Sequence, residues 1–223
     1  MAKHVDYLEW IDCIDTLDTD LGHLLLREFL LRTPTLEASA RSDGWINRFR
    51  IHDSDDAEML FEELTTNVRL LRNVNPRYAS SAKEVEKLLR EENLLEGRFW
   101  ESSSFAVYTV PNDAKKQVES AIDSAVSQNS LLQDKKRQLV KAKYLQVDAL
   151  FRHIRNAIAH GAFQIKKVDD RHKVCVFQDS SVSGDLSARI VLGEEILREW
   201  VASFPDMSKT AYKQERREEA SRL

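Results

Sequence analysis

The feature that most limits what this chain can fold into is a long stretch, residues 131–159, that keeps helical periodicity to its end. Val147, Leu150, Phe151, Ile154 and Ile158 recur every three or four positions and define one apolar stripe, as in a helix that buries a single side. At about 100° per residue, Arg152, Arg155, Asn156 and Ala159 fall on a neighbouring face that is polar and basic. His160 stands at the helix end, and Gly161 suits a left-handed C-cap. Gly and Pro number only 6 and 4 in 223 residues. That scarcity argues against a many-turned β-sandwich and for long helices.

The expected fold is therefore mainly α, a helical bundle with a small β-hairpin after the long helix. Periodicity predicts helices over residues 5–31, from Ser54 to the Asn75-Pro76 stop, over 80–95, from Pro111 through Val126, and over 194–204. Residues 97–110 are β-like, and 173–178 with 188–191 read as the two strands of the hairpin. Three parts follow. Residues 1–75 form an N-terminal helical segment, 76–205 a helical domain holding the long helix (131–160) and the hairpin (173–191), and 206–223 a charged tail.

Composition bounds the function. Hydrophobic residues make up 42% and charged residues 31%, as in a soluble globular protein. The net charge of −4 gives no general surplus of cations, so any contact with nucleic acid must be local. Cys13 and Cys175 are too few and too far apart for a disulfide framework or a zinc site, which fits a reducing cytoplasm. No signal-peptide core and no apolar run of about 18 residues is present, so neither export nor a membrane span is expected.

The chemistry is concentrated at the end of the long helix. Cleaving RNA without a metal needs a base for the ribose 2′-OH and an acid for the leaving 5′-oxygen. It also needs a fixed cation on the phosphate. Histidine suits the first two tasks because it titrates near neutrality. Arginine suits the third because its planar fork grips phosphate and keeps its charge. Arg155 and His160 lie about 140° apart on an ideal helix, so they converge only if the helix ends at His160 and its side chain swings back. On spacing alone the plainer reading leads: His160 caps the helix and Arg155 is solvated or ion-paired.

The longer string Phe151-Arg152-His153-Ile154-Arg155-Asn156-Ala157-Ile158-Ala159-His160-Gly161 resembles the signature of the HEPN (higher eukaryotes and prokaryotes nucleotide-binding) superfamily. There an Arg, a polar residue and a His some five positions on end a helix in an all-α bundle. The resemblance implies a metal-independent endoribonuclease with no cofactor. It also implies a homodimer whose two motifs share one cleft, and products ending in a 2′,3′-cyclic phosphate. Such proteins are often toxins or antiphage effectors restrained by a partner protein. Carried onto this chain, Arg155 is the phosphate-binding cation, Asn156 the polar helper and His160 the acid/base, while Arg152 extends the phosphate site. Many toxins of this kind that are silenced by nucleotide transfer carry Tyr two positions after the histidine. Here that position is Ala162, followed by Phe163, so that control is not expected.

Other candidates read as structural. His153 lies about 200° from Arg155 around the helix, and His4, His23, His52 and His172 lack partners at metal spacing. Asp53, Asp55 and Asp56 fit a helix N-terminus better than a calcium loop. Lys135, Lys136, Arg137, Lys141 and Lys143 read as a solvated face before an RNA-steering one. Trp10, Trp45, Trp100 and Trp200 look like core or interface residues. Two alternatives to the nuclease remain open. One is a non-catalytic HEPN dimer that binds nucleotide or RNA or serves as a scaffold; the other is an interaction protein recruiting a partner through 209–223.

Overall fold

The computed structural model describes residues 20–31, 71–101, 103–110, 116, 134–169 and 171–203. The expected helices within residues 5–19, 54–70 and 117–126 and the charged tail lie outside the described residues. The described elements begin with helix α1 (Asp20–Leu24), which widens into π-helical turns over Leu25–Leu31. Strand β1 (Asn75–Ala79), helix α2 (Ala82–Glu91), strand β2 (Phe105–Thr109) and the long helix α3 (Asp134–Ala159) follow. Strands β3 (Phe163–Lys167), β4 (Lys173–Ser180) and β5 (Leu186–Gly193) lead to helix α4 (Glu194–Ser203).

The strands form one mixed sheet in the order β1-β2-β5-β4-β3, with β1 and β2 parallel and the other pairs antiparallel. This overturns the expected mainly α bundle with an appended hairpin: the fold is α/β, and the hairpin is the middle of a five-stranded sheet. The physical reason lies in the central strands. β4 buries every residue from Val174 to Asp179, and β5 buries nearly all of its length. Strands covered on both faces present continuous apolar runs, which carry no period-2 signal. β4 and β5 were expected as strands, though not as the buried centre of a sheet; β1 was not expected as a strand. Its Asn75-Pro76 start reads as a helix stop, but among the described strands β1 bonds to β2 alone, and such an edge strand tolerates proline.

Local chemistry explains the helix ends. Ser81 caps α2 by accepting from the Glu84 amide, and the Glu84 carboxylate reaches back to the Ser80 amide and hydroxyl, both at 2.6 Å. Those two bonds hold the Glu84 carboxyl below its usual range. Asn93, with φ 57°, ends α2: its N–H donates to the Arg90 carbonyl and that of Leu94 to the Leu89 carbonyl.

The sheet separates two cores. On one face α2 packs Val85 and Leu89 against Phe105, Val107, Val176 and Val191. On the other lie α3, α4 and residues 21–29. The predicted stripe of α3 is buried there against Tyr108, Phe177 and Ile190. Phe29, Phe151 and Trp200 meet at ring distances of 5.3 to 6.5 Å, so the described N-terminal helix shares the core of the motif helix.

Candidate functional site

The site is the last two turns of α3 and the turn that follows. Ala157 and Ile158 hold this end in the core, while Arg155 and Asn156 are half-buried and Ala159 and His160 exposed. The helix stops where the sequence places its stop. Gly161 takes φ 67°, its N–H donates to the Ile158 carbonyl at 3.1 Å, and the Ala162 N–H donates to the Ala157 carbonyl at 2.7 Å. This is the paired bond pattern of a glycine C-cap, and glycine adopts that φ without strain. The chain then enters β3 at once, with the Gln178 N–H donating to the Ala162 carbonyl. His160 is therefore fixed as the residue at which the helix turns into the sheet.

The four residues expected to serve RNA divide into two pairs. Arg152 Nε donates to Asp148 Oδ2 at 2.7 Å, and Asp148 is fully buried. Asn156 Nδ2 donates to Asp179 Oδ2 at 3.2 Å. By contrast Arg155 has a buried Nε that donates to nothing, and neither it nor the His160 side chain bonds or pairs with any described residue. No hydrogen bond joins Arg155 to His160 within one chain. The helix ends where convergence requires.

Asp179 is the residue that sequence reasoning missed. It lies on β4 and faces α3, where its Oδ2 also meets His153 Nδ1 at 2.6 Å. His153 Nε2 lies 2.9 Å from the Thr109 carbonyl of β2. With 4% exposure and both ring nitrogens facing oxygens, His153 is held between the helix and the sheet. A register shift at Asp179/Ser180 marks a bulge: Asp179 pairs with Ala188 and Ser180 with Leu186, leaving Ser187 extra. Ser187 Oγ donates to the Asp179 carbonyl at 2.9 Å and fixes the bulge. Such bulges re-aim side chains. The only sequence signal was a carboxylate closing an apolar strand.

The remaining candidates fall elsewhere. Trp200 is core, and Trp100 lies under Lys166 Nζ at 5.3 Å. His172 pairs with Asp169, and His23 is exposed on α1. Cys175 is wholly buried, and burial pushes its thiol far above the range where thiolate forms. The backbone of Lys135–Lys143 belongs to α3, but those side chains, with Cys13, His4, His52, Trp10 and Trp45, lie outside the described residues. Among the described residues no group of three His, Cys, Asp or Glu is placed to hold a metal, and no helix is long and apolar enough to cross a membrane.

The sequence profile of a family described as HEPN pEK499 p136 matches residues 74–215. The chain belongs to this HEPN family. Neither the curated proteins nor the solved structures yield a match. The matched span runs from the threshold of β1 past α4, so the HEPN unit here includes the whole sheet as well as the motif helix. Membership ties the chain to nucleotide- and RNA-related function.

Proposed function

We propose that this protein is a metal-independent endoribonuclease that cleaves RNA by 2′-OH attack, in a site completed by a second copy of the chain. The observation that carries this reading is Arg155. Its guanidinium is half-buried with no carboxylate or carbonyl partner among the described residues, at a helix end that also exposes an unbonded His160. Buried donors are normally satisfied, and a guanidinium fork matches phosphate oxygens.

In this scheme Arg155 grips a non-bridging oxygen and offsets the charge that builds on the phosphorane. The 2′-oxygen forms a bond to phosphorus as its proton passes to one imidazole. The bond to the 5′-oxygen breaks as that oxygen takes a proton from another. Attack and departure lie on opposite sides of the phosphorus, so a single His160 does not serve both. His160 of a second copy supplies the other group, and the products are a 2′,3′-cyclic phosphate and a 5′-hydroxyl.

Purified wild-type protein is expected to cut RNA with EDTA present, and Arg155→Ala and His160→Ala to stop it while folding persists. Undiminished cutting by both variants sinks the proposal. The physiological side of the reading is a toxin or antiphage effector, which predicts growth arrest on induced expression of wild type and none with His160→Ala. One observation favours a second reading. Asn156 commits an amide N–H to Asp179 rather than leaving it for the reacting phosphate, which suits a HEPN dimer that binds RNA or nucleotide without turnover. Affinity without cleavage by the wild type selects it.

A further inference from the structure

We propose that Asp179 is the positioning residue of the HEPN motif, and that Asn156 and His153 act through it rather than on RNA. The proposal rests on the nuclease reading for its kinetic consequence, but its geometry is independent of that reading. One carboxylate oxygen takes Asn156 Nδ2 at 3.2 Å and His153 Nδ1 at 2.6 Å, two side chains one turn apart that bracket Arg155. The Thr109 carbonyl takes the far side of the imidazole at 2.9 Å. The helix is thus tied to β4 and β2, two strands with β5 between them.

Apolar packing resists separation of a helix from a sheet but opposes small rolls and slides weakly, because it is not directional. Two directional bonds on one oxygen fix both. The consequence falls on Arg155, which lies about 100° from Asn156 on the helix surface. A roll of about 20° moves a side chain at the helix rim by about 2 Å, and a misplacement of about 1 Å can cost about a hundredfold in rate.

The cluster is not needed to fill the core. Cys175 and Phe177, on the same strand and the same face, meet α3 as apolar residues, and an apolar residue at 179 would continue that surface. Burying a carboxylate, an imidazole and an amide instead brings desolvation costs that apolar packing avoids. The polar set sits at the level of Arg155, and the bulge at Ser187 holds its carboxylate in place. His153 is sealed from solvent, and Asn156 commits an amide N–H to Asp179, so both side chains are oriented by the carboxylate.

The test is a double-mutant cycle of Asp179→Asn and Asn156→Ala, read in two ways. In RNA cleavage each single variant is expected to lower kcat at least about tenfold with KM little changed. The double variant should fall no further than the worse single one, because the residues act as a unit. Multiplying losses mean that Asn156 touches RNA itself, which overturns the proposal. The second reading needs no cleavage: the Arg155 Nε–H resonance, assigned through Arg155→Lys, is expected to exchange slowly with water in the wild type and quickly in both variants. Unchanged exchange in both overturns the proposal even if the wild type is an active nuclease. A wild type that cuts no RNA sinks the nuclease reading alone, and the exchange measurement still decides the positioning role. Should Asp179→Asn not fold, Asn156→Ala decides it, since alanine at a half-exposed helix position favours the helix.

Discussion

Arg155 and Arg189 both bury an Nε that donates to no acceptor among the described residues. Arg189 stands on β5, on the α2 face of the sheet, and is 1% exposed. One terminal nitrogen donates to the Leu94 and Leu95 carbonyls at 2.9 and 2.6 Å, the other to Gln178 Oε1 at 3.3 Å, and the Phe99 ring lies 4.4 Å from its Cζ. Burial pushes its pKa down to about 10, so it is still a cation at neutral pH. It pins the chain that leaves α2 onto the sheet. Arg155 is less buried yet bonds to nothing described. The two arginines differ in depth, and they differ more in their partners. Among the described residues the terminal donors of Arg189 are spent and those of Arg155 are not.

Arg155→Ala gives the largest expected effect. Cleavage should fall by about a hundredfold to a thousandfold, the scale of removing one transition-state donor, while stability moves by no more than about 0.5 kcal/mol. Urea unfolding beside a cleavage assay measures both. Arg155→Lys should recover little, since a point charge does not replace the fork. A variant that loses stability and cleavage together breaks the comparison, because Arg155 would then be a second Arg189.

Arg189→Ala should show the reverse pattern. It orphans two backbone carbonyls and opens a void, at a cost of about 3 kcal/mol or more. Cleavage per folded molecule should stay at the wild-type level. Arg152→Ala lies between the two. It removes a donor 2.7 Å from a buried carboxylate and should cost about 2 kcal/mol. Its effect on cleavage should be well below that of Arg155→Ala. An equal loss would move Arg152 from the helix scaffold to the phosphate.

The half of this comparison on α3 was legible in the sequence; the half on the sheet was not. Helical spacing located α3, its buried stripe and its end, because those are set by neighbours three and four residues away. Gly161 announced the cap through a φ that other residues avoid. Asp179, Thr109 and Arg189 act across strand pairings, and nothing within a few residues of Asp179 says that β4 will lie beneath His153. The pairing of β5 with both β2 and β4 brings Arg189 to Leu94, 95 positions away. Phe163-Gln164-Ile165-Lys166 does alternate as an edge strand should. With β3 recognised, the hairpin would have needed a larger sheet to pair with.

His172 gives the smallest effect and the sharpest control on the site. It is exposed, and its Nδ1 meets Asp169 Oδ2 at 2.6 Å in the turn between β3 and β4. That bond raises the His172 pKa above 6.5 and holds Asp169 below 3.8. The folded state thus binds the His172 proton more tightly than the unfolded chain does. Its contribution is complete below pH 6.5 and fades as pH rises through the raised value, while that of Asp169 fades only as pH falls below 3.8. Because both groups are in water, Asp169→Asn should leave urea unfolding unchanged within error. By NMR titration the same variant should bring the His172 midpoint down towards 6.5. If His160 is the acid/base, the pH profile of RNA cleavage stays in place in Asp169→Asn while the His172 midpoint moves. A profile that moves with His172 would transfer the proton chemistry from the end of α3 to this turn.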